Sequence, residues 1–100
     1  MIIVHVDTKV VPEKEALYVE AMKKLMAASA AEPGNMTYYF SKHMGEDYRY
    51  LVTEVWESWD AFEFHEETAH FKEFMKEASE KRFVQRPPLL IKYEGEISPH

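Results

Sequence analysis

His65 and His70, in the segment HEETAH, are the residues best suited to chemistry in this 100-residue chain. Imidazole titrates near neutrality, so either ring can move a proton or ligate a metal. The zinc-protease motif H-E-x-x-H sets two histidines four apart on one helical face, with the glutamate as general base. Here the separation is five. On an unbroken helix the two rings would point about 140° apart, at about 100° per residue. They could share a metal only if the helix broke between them, so no metal site is expected and Glu66 loses its special standing.

A second group of candidates lies on strands. Ile2 to Val11 alternates with period two, placing Ile2, Val4, Val6, Thr8 and Val10 on one face and a mixed set, Ile3, His5, Asp7, Lys9 and Val11, on the other. A further strand, Tyr48 to Glu57, sends Leu51, Thr53 and Val55 one way and Tyr50, Val52, Glu54 and Trp56 the other. Matching Leu51 and Val55 to the apolar side puts Tyr50, Glu54 and Trp56 on the open face with His5 and Asp7. A polar and aromatic face closed by a partner would make a small-molecule pocket. The same residues could equally form a polar dimer interface.

The elements that position these residues follow from punctuation. Pro12, with Glu13 and Glu15 behind it, opens a helix carrying Leu17, Ala21, Leu25 and Ala28, flanked by Tyr18, Met22, Met26 and Ser29. Pro33-Gly34-Asn35 stops it. Met36 to Met44 and Tyr48 to Glu57 read as a hairpin. Ser58 caps a helix from Trp59 to Glu66, with Asp60 and Glu63 as an alternative cap, and Thr68 caps a second from Ala69 to Lys81, so the chain breaks inside HEETAH. After Pro87-Pro88, Leu89 to Ile97 supplies a last strand.

The order is β-α-β-β-α-β, an α+β ferredoxin-like arrangement with a four-stranded antiparallel sheet and helices on one face. One domain over residues 1–100, with its core in 2–97, fits the length. A chain this short gains from covering its helix-free sheet face, and the expected cover is a second copy.

Composition narrows the function classes. At 46 % hydrophobic and 14 % aromatic, the sequence folds. Without cysteine there is no disulfide, thiolate nucleophile or zinc finger. The net charge of −6, with basic residues only in short pairs, argues against nucleic acid. No apolar run approaches the roughly 20 residues that span a bilayer. MIIVHVDTKV lacks the basic region of a signal peptide, so a cytoplasmic location is expected.

Three stretches, AEPGNMTYYF, VTEVWESWDAF and HEETAHFKEF, resemble the antibiotic biosynthesis monooxygenase family over roughly residues 2 to 97. The resemblance implies a dimeric α+β barrel, with an acidic residue and tryptophan before the helix pair and an H-x4-H-[FY] segment within it. It also implies a choice of chemistries. Several members oxidise quinols or polyphenols with O2 and no flavin or metal cofactor, the deprotonated substrate itself reducing oxygen. That chemistry requires a base, a dry aromatic pocket and an oxyanion donor. Here the base would be His65 or His70, the walls Trp56 and Tyr50, and the donor Asn35 or a tyrosine hydroxyl, with His5, Asp7 and Glu54 as further substrate contacts. His70, near a helix N-terminus, would be kept uncharged by the dipole.

Two other branches are weaker matches. The asparagine, tryptophan and axial histidine of the haem-degrading branch fall, without gaps, at Asp7, His65 and Met75, so that triad is absent. A phospho-autoinducer isomerase would want a basic cluster, and only Lys9, Lys42 and Arg49 lie near the sheet. A non-enzymatic binding or structural dimer is the third reading. An enzyme would have a pocket in each protomer with His65 or His70 pointing in; a structural dimer would fill that space with Tyr50, Trp56 and phenylalanine side chains.

Overall fold

The structure, a computed structural model, describes residues 1–98. Among them are strand β1 (Ile2–Lys9), a single 3-10 turn (Pro12–Lys14), helix α1 (Glu15–Ala30), strands β2 (Asn35–Lys42) and β3 (Arg49–Trp56), helices α2 (Trp59–Glu66) and α3 (Ala69–Lys81), and strand β4 (Leu89–Glu94). The sheet runs β2-β3-β1-β4 with every neighbour antiparallel. This is the expected ferredoxin-like α+β fold. The last strand stops at Glu94, short of the expected Ile97. Pro99 and His100, at the end of the expected domain, lie outside the described residues.

Helices α2 and α3 begin where side chains satisfy free backbone N–H groups. The Ser58 hydroxyl accepts from the Ala61 amide, and the Thr68 hydroxyl accepts from the Phe71 amide while donating to the His65 carbonyl. Thr68 therefore ends one helix and starts the next. The buried stripe of α1 is Tyr18, Ala21, Met22, Leu25 and Ser29; Leu17, expected inside, is 43 % exposed. The turn after α1 needs Gly34: its φ is 84°, and a Cβ there would come within 2.7 Å of the Ala61 Cβ on α2.

Strand register corrects the expected sheet faces. Residues directly opposite in antiparallel strands share a face. Ile2 pairs with Trp56, Val4 with Glu54 and Thr8 with Tyr50. Tyr50, Glu54 and Trp56 therefore lie beneath the helices, not on the open face with His5 and Asp7. The open face carries Leu51, Thr53 and Val55 opposite Asp7, His5 and Ile3. Apolar residues occupy both sides of β3, so hydrophobicity could not tell the faces apart.

The core lies between the sheet and the helices, with Trp56, Phe83, Met22 and Val4 among its fully buried side chains. On the other side of the sheet, Tyr39, Leu51, Leu89, Ile91 and Tyr93 remain exposed.

Candidate active site

The break inside HEETAH folds His70 back toward His65, leaving their ring centroids 6.1 Å apart. Between them stands Glu32, just past the end of α1. Its Oε2 lies 2.7 Å from His65 Nδ1 and 2.6 Å from His70 Nε2. His65 and Glu32 have side chains only 1 % and 4 % exposed, whereas His70 is 28 % exposed at the rim. One carboxylate oxygen accepting from both rings puts a proton on His65 Nδ1. That fixes the tautomer in which His65 Nε2 carries the lone pair.

His65 Nε2 is buried without a hydrogen-bond partner, and so is Glu32 Oε1. The nearest acid to Nε2 is Glu54, whose Oε1 is 3.9 Å away and accepts from Trp56 Nε1 at 3.0 Å. Burial pushes the Glu54 carboxyl up to about 7, against the Trp56 hydrogen bond, and the negative charges of Glu32 and Glu66 add to the rise. Burial likewise holds His65 below the usual imidazole range, with Glu32 opposing it. The result is an uncharged base beside an acid that can keep its proton near neutrality.

These groups border a cavity of about 450 Å³ between the sheet and the helices. Its walls are mostly apolar, including Met22, Phe62, Phe71, Phe74 and Leu90, with His65, Glu54, Glu66 and Tyr38 at the polar end. Burial drives the Tyr38 phenol well above its ordinary value, so it stays a proton donor. Among the described residues, no lysine or arginine lines this cavity.

The other sequence candidates lie elsewhere. Trp56 is fully buried behind the wall, its ring 4.7 Å from that of His65. The Tyr50 hydroxyl donates to Glu15, and its ring packs on Tyr18 and Phe40. The Asn35 amide donates to the carbonyls of Thr37 and Val55. His5 contacts the Tyr93 hydroxyl on the open face, and Asp7 there is held by Arg49 and Arg86. The structure thus brings together His65, His70, Glu54 and Trp56, with Asn35 opposite Trp56 in the strand pair, and separates them from His5, Asp7 and Tyr50.

Glu32 and Tyr38 were missed in the sequence. Glu32 carried a signal: an acid at a helix C-terminus sits against the negative end of the dipole and is costly without a compensating partner. Tyr38 carried none beyond its position on a strand. Phe62 and Phe74 pack in the core, and with Phe71 they also wall the cavity.

Comparison with known proteins agrees with this architecture. The family profile described as Antibiotic biosynthesis monooxygenase matches residues 1–77. The chain is 35 % identical over 80 residues to YcnE of Bacillus subtilis (strain 168), a candidate monooxygenase, covering 80 % of this chain and 84 % of that one. A solved structure of a candidate antibiotic biosynthesis monooxygenase from Caulobacter crescentus CB15 superposes with a TM-score of 0.85 at 28 % identity, covering 96 % of this chain and 90 % of the other. Another from Nitrosomonas europaea gives a TM-score of 0.88 at 23 % identity, over 95 % and 98 %, and speaks for the fold alone. With the match spanning most of the chain and both helices of the HEETAH junction, this chain belongs to the antibiotic biosynthesis monooxygenase family.

Proposed function

We propose that this protein is a monooxygenase that oxidises a small, neutral phenol or quinol with O2 in the cavity beneath the helices, without a flavin or metal cofactor. The observation that carries this reading is the partnerless Nε2 of His65 at the polar end of an otherwise apolar cavity. Between the two histidines, His65 is the base, because it lines the cavity while His70 sits on the far side of Glu32.

The steps follow from these positions. His65 Nε2 takes the phenolic proton, with Glu32 holding the opposite face of the ring. The phenolate gives one electron to O2, and the two radicals couple at a hydrogen-bearing ring carbon ortho or para to the oxygen. The new C–O bond leaves a peroxide anion, which the imidazolium protonates. The O–O bond then breaks as the ring C–H proton departs, giving a quinone and water. Tyr38 and protonated Glu54 are placed to stabilise developing oxyanions in a site where such donors are strongest. The apolar walls favour a flat aromatic and keep water from competing.

The absence of lysine and arginine from the lining, among the described residues, weighs against a phosphorylated substrate, and so against the isomerase alternative. A second copy of the chain covering the open sheet face, completing a dimeric barrel, belongs to the same proposal; the exposed Leu51, Leu89, Ile91 and Tyr93 support it.

The test is O2 consumption by chelator-treated protein over a panel of phenols and quinols, comparing wild type with His65→Ala and Glu32→Gln. His65→Ala should lower the rate at least about 100-fold, the low end for loss of a general base. Glu32→Gln should lower it less, through a misplaced tautomer. A folded protein that consumes no O2 with any member of the panel would overturn the reading in favour of a binding protein.

A further inference from the structure

The Glu32–His65–His70 cluster has more unsatisfied donor capacity than a structural clasp explains. Glu32 Oε2, His65 Nδ1 and His70 Nε2 lie within 4.8 Å of one another. Two further buried atoms of the same side chains, Glu32 Oε1 and His65 Nε2, have no partner. A clasp needs neither, and leaving each buried without a hydrogen bond is costly. Both atoms have a natural use if an ion replaces the two N–H protons. Oε1 becomes a second ligand oxygen, and the Nε2–H then formed on His65 faces Glu54 Oε1, 3.9 Å away. A carboxylate behind a ligating imidazole is the usual support of such sites.

We propose that Glu32, His65 and His70 form a binding site for a divalent first-row transition ion of the zinc or cobalt kind. Two imidazoles and one carboxylate suit these ions, whereas calcium and magnesium take oxygen donors. Two imidazole nitrogens and both Glu32 oxygens supply four donor atoms, so water can add only as a fifth ligand. His70, 28 % exposed, gives the ion a path from solvent. Ligands on one tetrahedral ion lie about 3.4 Å apart at metal–nitrogen distances near 2.1 Å. The present 2.6 and 2.7 Å contacts must therefore open by about 0.7 Å, within reach of rotations at the helix junction. Each imidazole keeps one proton, moved to its other nitrogen.

Binding stands independently of the proposed oxidation; its consequence for turnover rests on that reading. An ion on His65 Nδ1 forces the proton onto Nε2, so an occupied site has no base.

The experiment is a titration of the chelator-treated full chain with Co2+, followed by visible absorption and calorimetry, with Zn2+ as competitor. No substrate is involved, so its failure is distinct from failure of the oxygenase reading. Wild type should take up one ion per chain with strong d–d bands, displaced by Zn2+. His70→Ala and Glu32→Gln should each weaken binding at least tenfold, with folding checked by circular dichroism. If Glu32→Gln does not fold, the half-exposed His70→Ala carries the comparison. No bands, or binding unchanged in His70→Ala, would overturn the site, the latter by assigning the ion to histidines elsewhere.

Discussion

At the scale of single residues, Glu54 departs furthest from what a core position should hold. It is 4 % exposed, beneath the helices, with its carboxyl raised from an ordinary 4.5 to about 7. The charged groups facing it are Glu32 and Glu66, with His65 at 3.9 Å and the Trp56 indole as donor. Between these two pKa values the native state holds a proton that the unfolded chain has lost. Stability attributable to this group therefore falls as pH rises from about 4.5 to about 7, and stays lost above. Removing the charge should recover it. Glu54→Gln, which can still accept from Trp56, should gain stability over wild type by up to about 3 kcal/mol at pH 8 and show little difference at pH 4.5. Urea unfolding at both values measures this; an equal difference at both would show that the carboxyl is not protonated by burial. In the sequence, the types of Glu54, His65 and Trp56 marked them as chemical. Their location was not legible, because an acid inside the core breaks the binary pattern used to assign faces. Functional sites are where that pattern is expected to fail.

At the scale of elements, the site depends on two turns. The α2–α3 junction holds His65 at the end of one helix and His70 at the start of the next, with Thr68 bonding in both directions. Thr68→Ala removes a cap and should cost about 1 kcal/mol, read as a lower urea midpoint at unchanged slope. It should also lower O2 consumption without touching the cavity, because His65 loses its positioned carbonyl. Thr68→Ser, retaining the hydroxyl, should restore both. The other turn is Gly34, which lets α2 approach and leaves Glu32 facing the histidines. Gly34→Ala meets both a left-handed φ and the 2.7 Å contact with Ala61, and should destabilise more than the loss of the cap. These elements were legible because caps and breakers are local chemistry: Ser58, Thr68 and Pro33-Gly34 gave helix limits that the structure repeats. The last strand was less so, since Tyr93 to Ile97 keeps alternating after its pairing with β1 ends at Glu94.

At the scale of the whole molecule, the unexplained surface is the helix-free side of the sheet. Leu51, Tyr39, Leu89, Ile91 and Tyr93 are each 38 % or more exposed there, on three of the four strands. Beside them the charged groups are already matched. Arg49 grips Asp7 with two nitrogens at 3.0 and 2.6 Å and reaches Glu46 at 2.9 Å; Arg86 adds a contact to Asp7, and Lys9 one to Glu46. Opposite charges hold the Asp7 carboxyl below its ordinary value, Arg49 most of all. Covering this face would bury few unpaired charges, which is what usually makes polar surface costly to bury. A dimer interface takes about 800 Å² from each partner. Against the 6430 Å² of this chain that is roughly an eighth. Self-association through this face should therefore place Ile91, 55 % exposed and on the sheet face opposite the cavity, in the interface. Ile91→Asp sets a charge opposite its own copy or its neighbours and should shift micromolar protein from two chains to one in sedimentation velocity. Its circular dichroism should remain that of the folded chain, since the side chain supports no core contact. A wild type that sediments as a single chain would remove the second copy as the cover of this face. The cavity under the helices would still stand, because every residue that lines it comes from one chain.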